Sequence, residues 1–119
     1  MKLSRWFDKE EFACKCGCDE DFEIDPNLIT VLDQVREYVG NPMTITSGYR
    51  CKKHNDSLGS TDKSQHRKGT AADVVFAYHG AQQVADIAEG IMGKKGGLGR
   101  YKDFTHIDVR KGIARWGKN

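Results

Sequence analysis

One aspartate lies inside an apolar segment of this chain, and it constrains the fold more than any other residue. Ala71–Ala77 combines alanine, valine and phenylalanine with Asp73, a composition that predicts a buried β-strand. Burying a carboxylate without a partner costs several kcal/mol or forces the group to take up a proton. The fold must therefore supply a cation, a set of hydrogen-bond donors or a metal ion beside this strand.

Two histidines are candidates for that partnership. His66 precedes Asp73 by seven residues, within the polar segment Lys52–Lys68, which indicates either a functional loop or disorder. His106 lies in a second predicted strand, Phe104–Val109, in which alternate side chains share one face. Two imidazoles and a carboxylate, with a fourth position left for water, are typical of catalytic zinc. The spacing alone equally allows a solvated His66 and an Asp73 that caps a turn.

The remaining patterns predict a small α+β domain with a mainly antiparallel sheet and helices packed against it. One helix begins after Asp25-Pro26 and is stopped by Gly40, and an apolar stripe from Ala81 to Met92 predicts a second. Residues 1–24 are expected to form an irregular arm, within a single domain that spans residues 1–119. The predicted strands are Met43–Ser47, Ala71–Ala77, Leu98–Tyr101 and Phe104–Val109, the last two forming a hairpin or close pair.

Charge and hydropathy exclude several classes of protein. The 119 residues carry 19 basic and 17 acidic side chains, a net charge of +2 that argues against a nucleic-acid-binding polycation. We expect no membrane span, because no apolar stretch approaches the roughly 20 residues that a span requires. The N-terminal segment turns acidic at Asp8 and has no apolar core, so we expect no signal peptide.

Four cysteines occur at Cys14, Cys16, Cys18 and Cys51. Without a signal peptide, reduced thiols are the expectation. A four-thiolate zinc site is disfavoured, because structural zinc usually takes C-x2–4-C pairs and alternating cysteines provide no second pair. A disulfide between Cys51 and one of the other three stays open if the protein reaches an oxidising compartment.

Three separated motifs resemble the M15-type zinc D-Ala-D-Ala carboxypeptidases, a family that includes cell-wall endopeptidases and phage endolysins. The resemblance runs from about Phe12 to Trp116. The motifs are S-x-H-x-x-G-x-A-x-D at Ser64–Asp73, Ser47–Arg50 followed by His54-Asn55, and Phe104–Arg110. The fold that this resemblance implies is an α+β fold similar to that of hedgehog domains and D-Ala-D-Ala peptidases.

The resemblance implies that zinc is held by His66, Asp73 and His106. It also implies that Arg50 holds a substrate carboxylate or carbonyl. Ser64 is implied to support the loop that carries the zinc ligand and to belong to the substrate-binding residues. These residue types suit the roles, since neutral imidazoles and one carboxylate leave zinc with a net positive charge and a guanidinium matches a carboxylate. Without the resemblance, Arg50 would be taken for an ordinary exposed arginine.

Hydrolysis also needs a general base, and two residues compete for that role. Asp103 lies three residues before His106, a spacing at which endolysin-type and dipeptidase members carry an acid. Asp108 shares a strand face with His106, whereas Asp103 reaches that face only if Lys102-Asp103 belongs to an irregular turn. We favour Asp103, with Asp108 as the alternative base or as a residue that orients a zinc ligand.

The resemblance therefore implies a zinc peptidase that cleaves an amide bond in the stem peptide of bacterial peptidoglycan. The sequence leaves two cuts open, a D-Ala-D-Ala carboxypeptidase cut and an internal L-Ala-D-Glu cut. The context that the resemblance implies is a monomeric phage or prophage lysis enzyme, made in the bacterial cytoplasm without a signal peptide of its own and acting at the cell wall. The alternative is a noncatalytic zinc-containing module that binds the cell wall or a protein.

Overall fold

The computed structural model describes residues 1–18, 20–61 and 63–117. Within these ranges five strands form one sheet in the order β1-β2-β4-β3-β5. The pairings β1–β2, β2–β4 and β3–β4 are antiparallel, whereas β3–β5 is parallel. The strands are β1 (Met43–Ser47), β2 (Ala71–Phe76), β3 (Gly96–Arg100), β4 (Thr105–Asp108) and β5 (Ile113–Gly117). This confirms the α+β class and the mainly antiparallel sheet.

Three α-helices accompany the sheet in the described ranges: α1 (Pro26–Val39), α2 (Lys52–Ser57) and α3 (Ala81–Met92). The capping signals of α1 are confirmed, because the Asp25 side chain accepts a hydrogen bond from the backbone of Asn27 and Gly40 ends the helix with a φ of 77°. No helix in the described part of the chain combines the length and the apolar composition that a membrane span needs.

The hydrophobic core lies between the sheet and helices α1 and α3. Helix α3 packs on α1 and on strands β2, β3 and β4. The buried side chains of Val74, Leu98 and Ile107 belong to this layer, and each such burial stabilises the fold by about 1.5–3 kcal/mol. The Thr105 hydroxyl donates to the Ala81 carbonyl oxygen at 2.9 Å, which places α3 on the Thr105 face of β4. The opposite face of the sheet is therefore available for polar residues.

The structure differs from the sequence prediction at two elements. The polar segment Lys52–Lys68 is not an irregular loop throughout, because it contains α2 and a 3-10 helix at Gln65–Lys68. Strand β5 was not predicted, and it adds the parallel edge of the sheet.

The N-terminal arm has little regular structure, as predicted, apart from a 3-10 helix at Lys9–Phe12; position 19 lies outside the described residues. Phe7 and Phe12 are buried in the core. The backbone of Phe12 passes so close to Gly48 that a Cβ there would lie 2.7 Å from the Phe12 Cα. The arm therefore packs directly against the segment that follows β1.

Candidate active site

A single row of residues crosses all five strands and forms the base of the site. Ser47, Asp73, His106, Gly99 and Trp116 are successive partners on β1, β2, β4, β3 and β5. Residues directly opposite one another on neighbouring strands project to the same face of a sheet. Because His106 alternates with Thr105, this face is the one that points away from α3.

The three residues predicted as metal ligands are brought together on this face. The Asp73 Oδ1 atom lies 2.9 Å from His106 Nδ1 and 3.3 Å from His66 Nε2. One donor atom of each residue lies within 4.8 Å of the others, and the residues are only 3%, 6% and 7% exposed for His66, Asp73 and His106. The arrangement provides two nitrogen donors and one oxygen donor, the set that catalytic zinc takes from a protein.

The loop before β2 fixes the orientation of His66. The Ser64 hydroxyl oxygen accepts from the His66 backbone N–H at 3.3 Å, which caps the 3-10 helix at Gln65–Lys68. His66 Nδ1 lies 2.8 Å from the Gly48 carbonyl oxygen. A carbonyl oxygen can only accept, so Nδ1 carries the proton and Nε2 presents a lone pair to Asp73. Nε2 is buried and makes no hydrogen bond with any described residue.

A carboxylate fixes the orientation of His106 in the same way. His106 Nε2 lies 2.8 Å from Asp108 Oδ2, so the Nε2–H donates to Asp108 and Nδ1 faces Asp73. Burial lowers the pKa of His106, but the carboxylates of Asp108 and Asp73 outweigh it and raise that pKa. In neutral His66 and His106, both free lone pairs point at the Asp73 carboxylate. Three acceptors that converge in this way are stabilised by a cation between them, and this fits a metal ion.

Asp73 is ionised at neutral pH. Burial raises its pKa, but interactions with the neighbouring rings of His106 and His66 outweigh burial and lower the pKa to about 2 when no metal lies between them. The Arg50 guanidinium lies 3.7 Å from Asp73 Oδ2 and donates from Nε to the Ser47 hydroxyl oxygen at 3.3 Å. The carboxylate that the sequence placed in an apolar strand thus has the partners it requires.

Asp108, the alternative base, is completely buried and surrounded by donors. Its carboxylate accepts from His106 Nε2, from Arg110 Nη2 at 2.6 Å and from the Gly97 backbone N–H at 2.9 Å. Burial raises the pKa of Asp108, but the hydrogen bonds from His106 and Arg110 outweigh it and lower that pKa. A Cβ on Gly97 would lie 2.3 Å from Oδ2, so a glycine is needed beside this carboxylate. The geometry makes Asp108 the residue that orients His106.

Asp103, the favoured base, lies in the turn between β3 and β4. Tyr101 N–H donates to the Phe104 carbonyl oxygen across this turn at 3.3 Å, so strand parity does not set the direction of Asp103. The Asp103 side chain is exposed and borders a small separate cavity of about 20 Å³ with Val74 and Ala81. The structure thus places Asp103 beside the cleft residues Tyr101 and Phe104 but outside the cleft itself, and its role as base stays a prediction.

A cleft of about 450 Å³ opens over the His66–Asp73–His106 group. Tyr101 and Phe104 stack with their ring centroids 4.3 Å apart, and Trp116 Nε1 donates to the Tyr101 hydroxyl at 2.9 Å. The cleft is lined by Arg50, Leu58, Ser60, Thr61, Lys63, Ser64, Gln65, His66, Asp73, Tyr101, Phe104, His106, Arg110 and Trp116. All the predicted ligand and substrate-binding residues therefore share one cavity.

Trp116 is a cleft residue that the sequence analysis missed. Its ring lies 5.1 Å from the His106 ring, above Gly99. A Cβ on Gly99 would lie 2.6 Å from the indole, so the absence of a side chain there allows Trp116 to approach His106. The three glycines within Gly96–Gly99 and the aromatic Trp116 are visible in the sequence, but only the β3–β5 register shows that Gly99 and Trp116 lie side by side.

Comparisons with known proteins agree with this architecture. The family model described as Peptidase M15 matches residues 5–108. The fold is similar to the crystal structure of the Serratia marcescens L-Ala D-Glu endopeptidase ChiX, with a TM-score of 0.56 and 21% sequence identity over 73% of this chain and 80% of that chain. No curated protein matches the chain.

Proposed function

This chain belongs to the peptidase M15 family, and we propose that it is a zinc peptidase that hydrolyses an amide bond in the stem peptides of bacterial peptidoglycan. The observation that carries the proposal is the convergence of two imidazole nitrogens on the ionised Asp73 carboxylate at the base of a cleft.

Zinc would be held by His66 Nε2, the Asp73 carboxylate and His106 Nδ1. When bound, zinc supplies a Lewis acid that polarises a peptide carbonyl and makes water nucleophilic at neutral pH. The Gly48 carbonyl and the Asp108 carboxylate hold the two histidine rings, so that His66 Nε2 and His106 Nδ1 are both aimed at Asp73. Preorganised ligands of this kind avoid reorganisation during the reaction.

Arg50 would bind a carboxylate or carbonyl of the substrate. Its side chain is only 14% exposed, lines the cleft and is held in place by Ser47. A guanidinium offers two parallel N–H donors, which match the carboxylates that peptidoglycan stem peptides carry. Lys63 and Arg110 add positive charge to the same cleft.

The aromatic wall of Tyr101, Phe104 and Trp116 would contact the apolar part of the peptide beside the scissile bond. Similarity to an L-Ala D-Glu endopeptidase supports an internal cut, while removal of a terminal D-Ala is the second specificity that this cleft would allow. Action at the cell wall as a monomeric phage or prophage lysis enzyme belongs to the same proposal.

Asp103 is proposed as the general base that takes a proton from the attacking water and passes it to the leaving amine. Two observations support it. Asp108 has its lone pairs occupied by His106, Arg110 and Gly97. Asp103 instead lies in a turn between two cleft-lining aromatic residues, with its carboxylate exposed.

The proposal is tested by digesting purified peptidoglycan with the zinc-loaded protein and identifying the released fragments by mass spectrometry. We expect cleavage that a chelator abolishes and added zinc restores. Fragments that have lost a terminal D-Ala would identify a carboxypeptidase, and fragments cut within the stem an endopeptidase. No cleavage by a protein with zinc bound at His66, Asp73 and His106 would contradict the proposal and favour a noncatalytic binding module.

A further inference from the structure

The four cysteines form a second group of metal-type ligands, and none of them lines the cleft described above. The Cys14 Sγ atom lies 3.3 Å from that of Cys16 and 3.7 Å from that of Cys51, while the Cys16 and Cys51 Sγ atoms are 3.6 Å apart. Cys18 completes the group, in which all four sulfur atoms lie within 4.8 Å of one another. All four are free thiols in this structure.

We propose that Cys14, Cys16, Cys18 and Cys51 bind a structural zinc ion, distinct from the zinc at His66, Asp73 and His106. Four sulfur atoms placed about 2.3 Å from one zinc ion in a tetrahedron are about 3.8 Å from one another. The three measured distances of 3.3, 3.7 and 3.6 Å approach that value. On binding, each thiol releases its proton to solvent and its thiolate donates an electron pair to the metal.

The local backbone explains how an unusual spacing produces this group. In an extended strand each residue adds about 3.3 Å, so Cys14 and Cys18, which are four residues apart, would be separated by about 13 Å. Here Gly17 has a φ of 83° and its N–H donates to the Cys14 carbonyl oxygen at 3.4 Å, so the chain turns back on itself. The spacing argument against a four-thiolate site rested on the lack of a second C-x2–4-C pair. In the structure the turn brings three alternating cysteines together, so that Cys51 alone completes the group.

Cys51 supplies the fourth sulfur from the segment after β1. Its backbone N–H donates to Cys14 Sγ, and the His54 backbone N–H donates to Cys51 Sγ, both at 3.4 Å. Backbone donors aimed at sulfur stabilise a negatively charged thiolate more than a neutral thiol. The buried Cys14 and Cys51 lie on the protein side of the group, and the exposed Cys16 and Cys18 close it from the solvent side.

The position of this group indicates what the metal does. Cys51 directly follows Arg50, and the arm contacts the same segment at Tyr49, whose N–H donates to the Phe12 carbonyl oxygen at 2.8 Å. The Tyr49 hydroxyl donates to Glu20 Oε1 at 2.6 Å. A zinc ion here would tie the arm to the segment that carries Arg50 and the Gly48 carbonyl, and so position the substrate-binding guanidinium without touching the substrate.

Metal content tests the proposal directly. Protein purified in reducing buffer without chelators is expected to contain about two zinc ions per chain, one for each ligand group. The His66→Ala/His106→Ala variant should keep about one, and the Cys16→Ser/Cys18→Ser variant should keep the other. Wild-type protein with a single zinc ion that the His66→Ala/His106→Ala change removes would overturn the proposal.

Cobalt gives a readout that does not depend on activity and that begins with the wild-type protein. Co²⁺ added to reduced, metal-free wild-type protein should produce the near-ultraviolet charge-transfer absorption of cobalt bound to thiolates. The His66→Ala/His106→Ala variant should give the same band, so a failure of the proposed hydrolysis would leave this result intact. Absence of the band, or a mass of the unreduced protein that shows disulfides in place of free thiols, would contradict a thiolate metal site.

Discussion

Asp108→Asn tests whether Asp108 orients a zinc ligand or acts as the base. Asparagine keeps the shape of the side chain but has only one acceptor oxygen. Its NH2 group must therefore face either His106 Nε2–H and Arg110 Nη2, which both donate to Oδ2, or the Gly97 N–H and Arg110 Nε, which donate to Oδ1. Hydrogen bonds to a charged group contribute about 1.5–3 kcal/mol each. Losing a carboxylate that holds a zinc-binding histidine lowers metal affinity about 10–100-fold, or about 1.4–2.8 kcal/mol.

We therefore expect Asp108→Asn to weaken zinc binding at the His66–Asp73–His106 site about 10–100-fold and to lower the free energy of unfolding of the metal-free protein by about 2 kcal/mol. Competition with a chromophoric chelator measures the affinity, and urea unfolding measures the stability. Asp103→Asn is the matched control. Because Asp103 is exposed and outside the cleft, this change should leave zinc affinity and stability unchanged while peptide hydrolysis is lost.

The opposite pattern would refute this reasoning. If Asp108→Asn binds zinc as tightly as the wild type but no longer cleaves peptidoglycan, Asp108 acts on the substrate rather than on His106. If Asp103→Asn also retains its turnover rate, the assignment of the base to Asp103 is wrong as well.

Three further predictions concern packing and charge. Gly99→Ala should lower the melting temperature and shift the fluorescence of Trp116, because the added Cβ would lie 2.6 Å from the indole. Overpacking of this kind costs about 1–3 kcal/mol of stability. An unchanged spectrum and melting temperature would contradict the β3–β5 register. Leu32→Ala, at a fully buried position of α1, should reduce the free energy of unfolding by about 2–5 kcal/mol, and urea unfolding would show a much smaller loss if α1 did not pack on the core. Folding lowers the pKa of Asp73 from 3.8 to about 2, so the ionised carboxylate stabilises the metal-free protein above about pH 4. This contribution to the free energy of unfolding, on the order of 2 kcal/mol, is lost as the pH falls towards 2. An Asp73→Asn protein with the same acid unfolding curve as the wild type would show that the contribution is absent.

The parts of the fold that the sequence predicted are those specified by local chemistry. Helix α1 follows from an acidic N-cap before a proline and from a glycine at its end, all of which act within one turn of the helix. The alternation in β4 placed His106 and Asp108 on one face, and the structure confirms a contact of 2.8 Å between them. The need of Asp73 for a partner followed from the cost of burying a charge, whatever the partner was.

The parts that were missed depend on contacts between distant segments. Strand β5 has no alternation of apolar residues, and its pairing with β3 is parallel and set by the tertiary fold. Helix α2 consists of polar residues and is anchored by Asn55, which is buried and donates from Nδ2 to the Thr61 carbonyl oxygen at 2.7 Å. Neither contact leaves a periodic pattern in the sequence.

The most direct test of the account measures zinc content and peptidoglycan hydrolysis together in the wild type and in His66→Ala. His79→Ala is the control, since His79 bonds to Asn41 and does not line the cleft. The account predicts that His66→Ala loses one zinc ion and its hydrolytic activity together, while His79→Ala keeps both. A His66→Ala protein that cleaves peptidoglycan at the wild-type rate would contradict the central claim that this site performs the reaction.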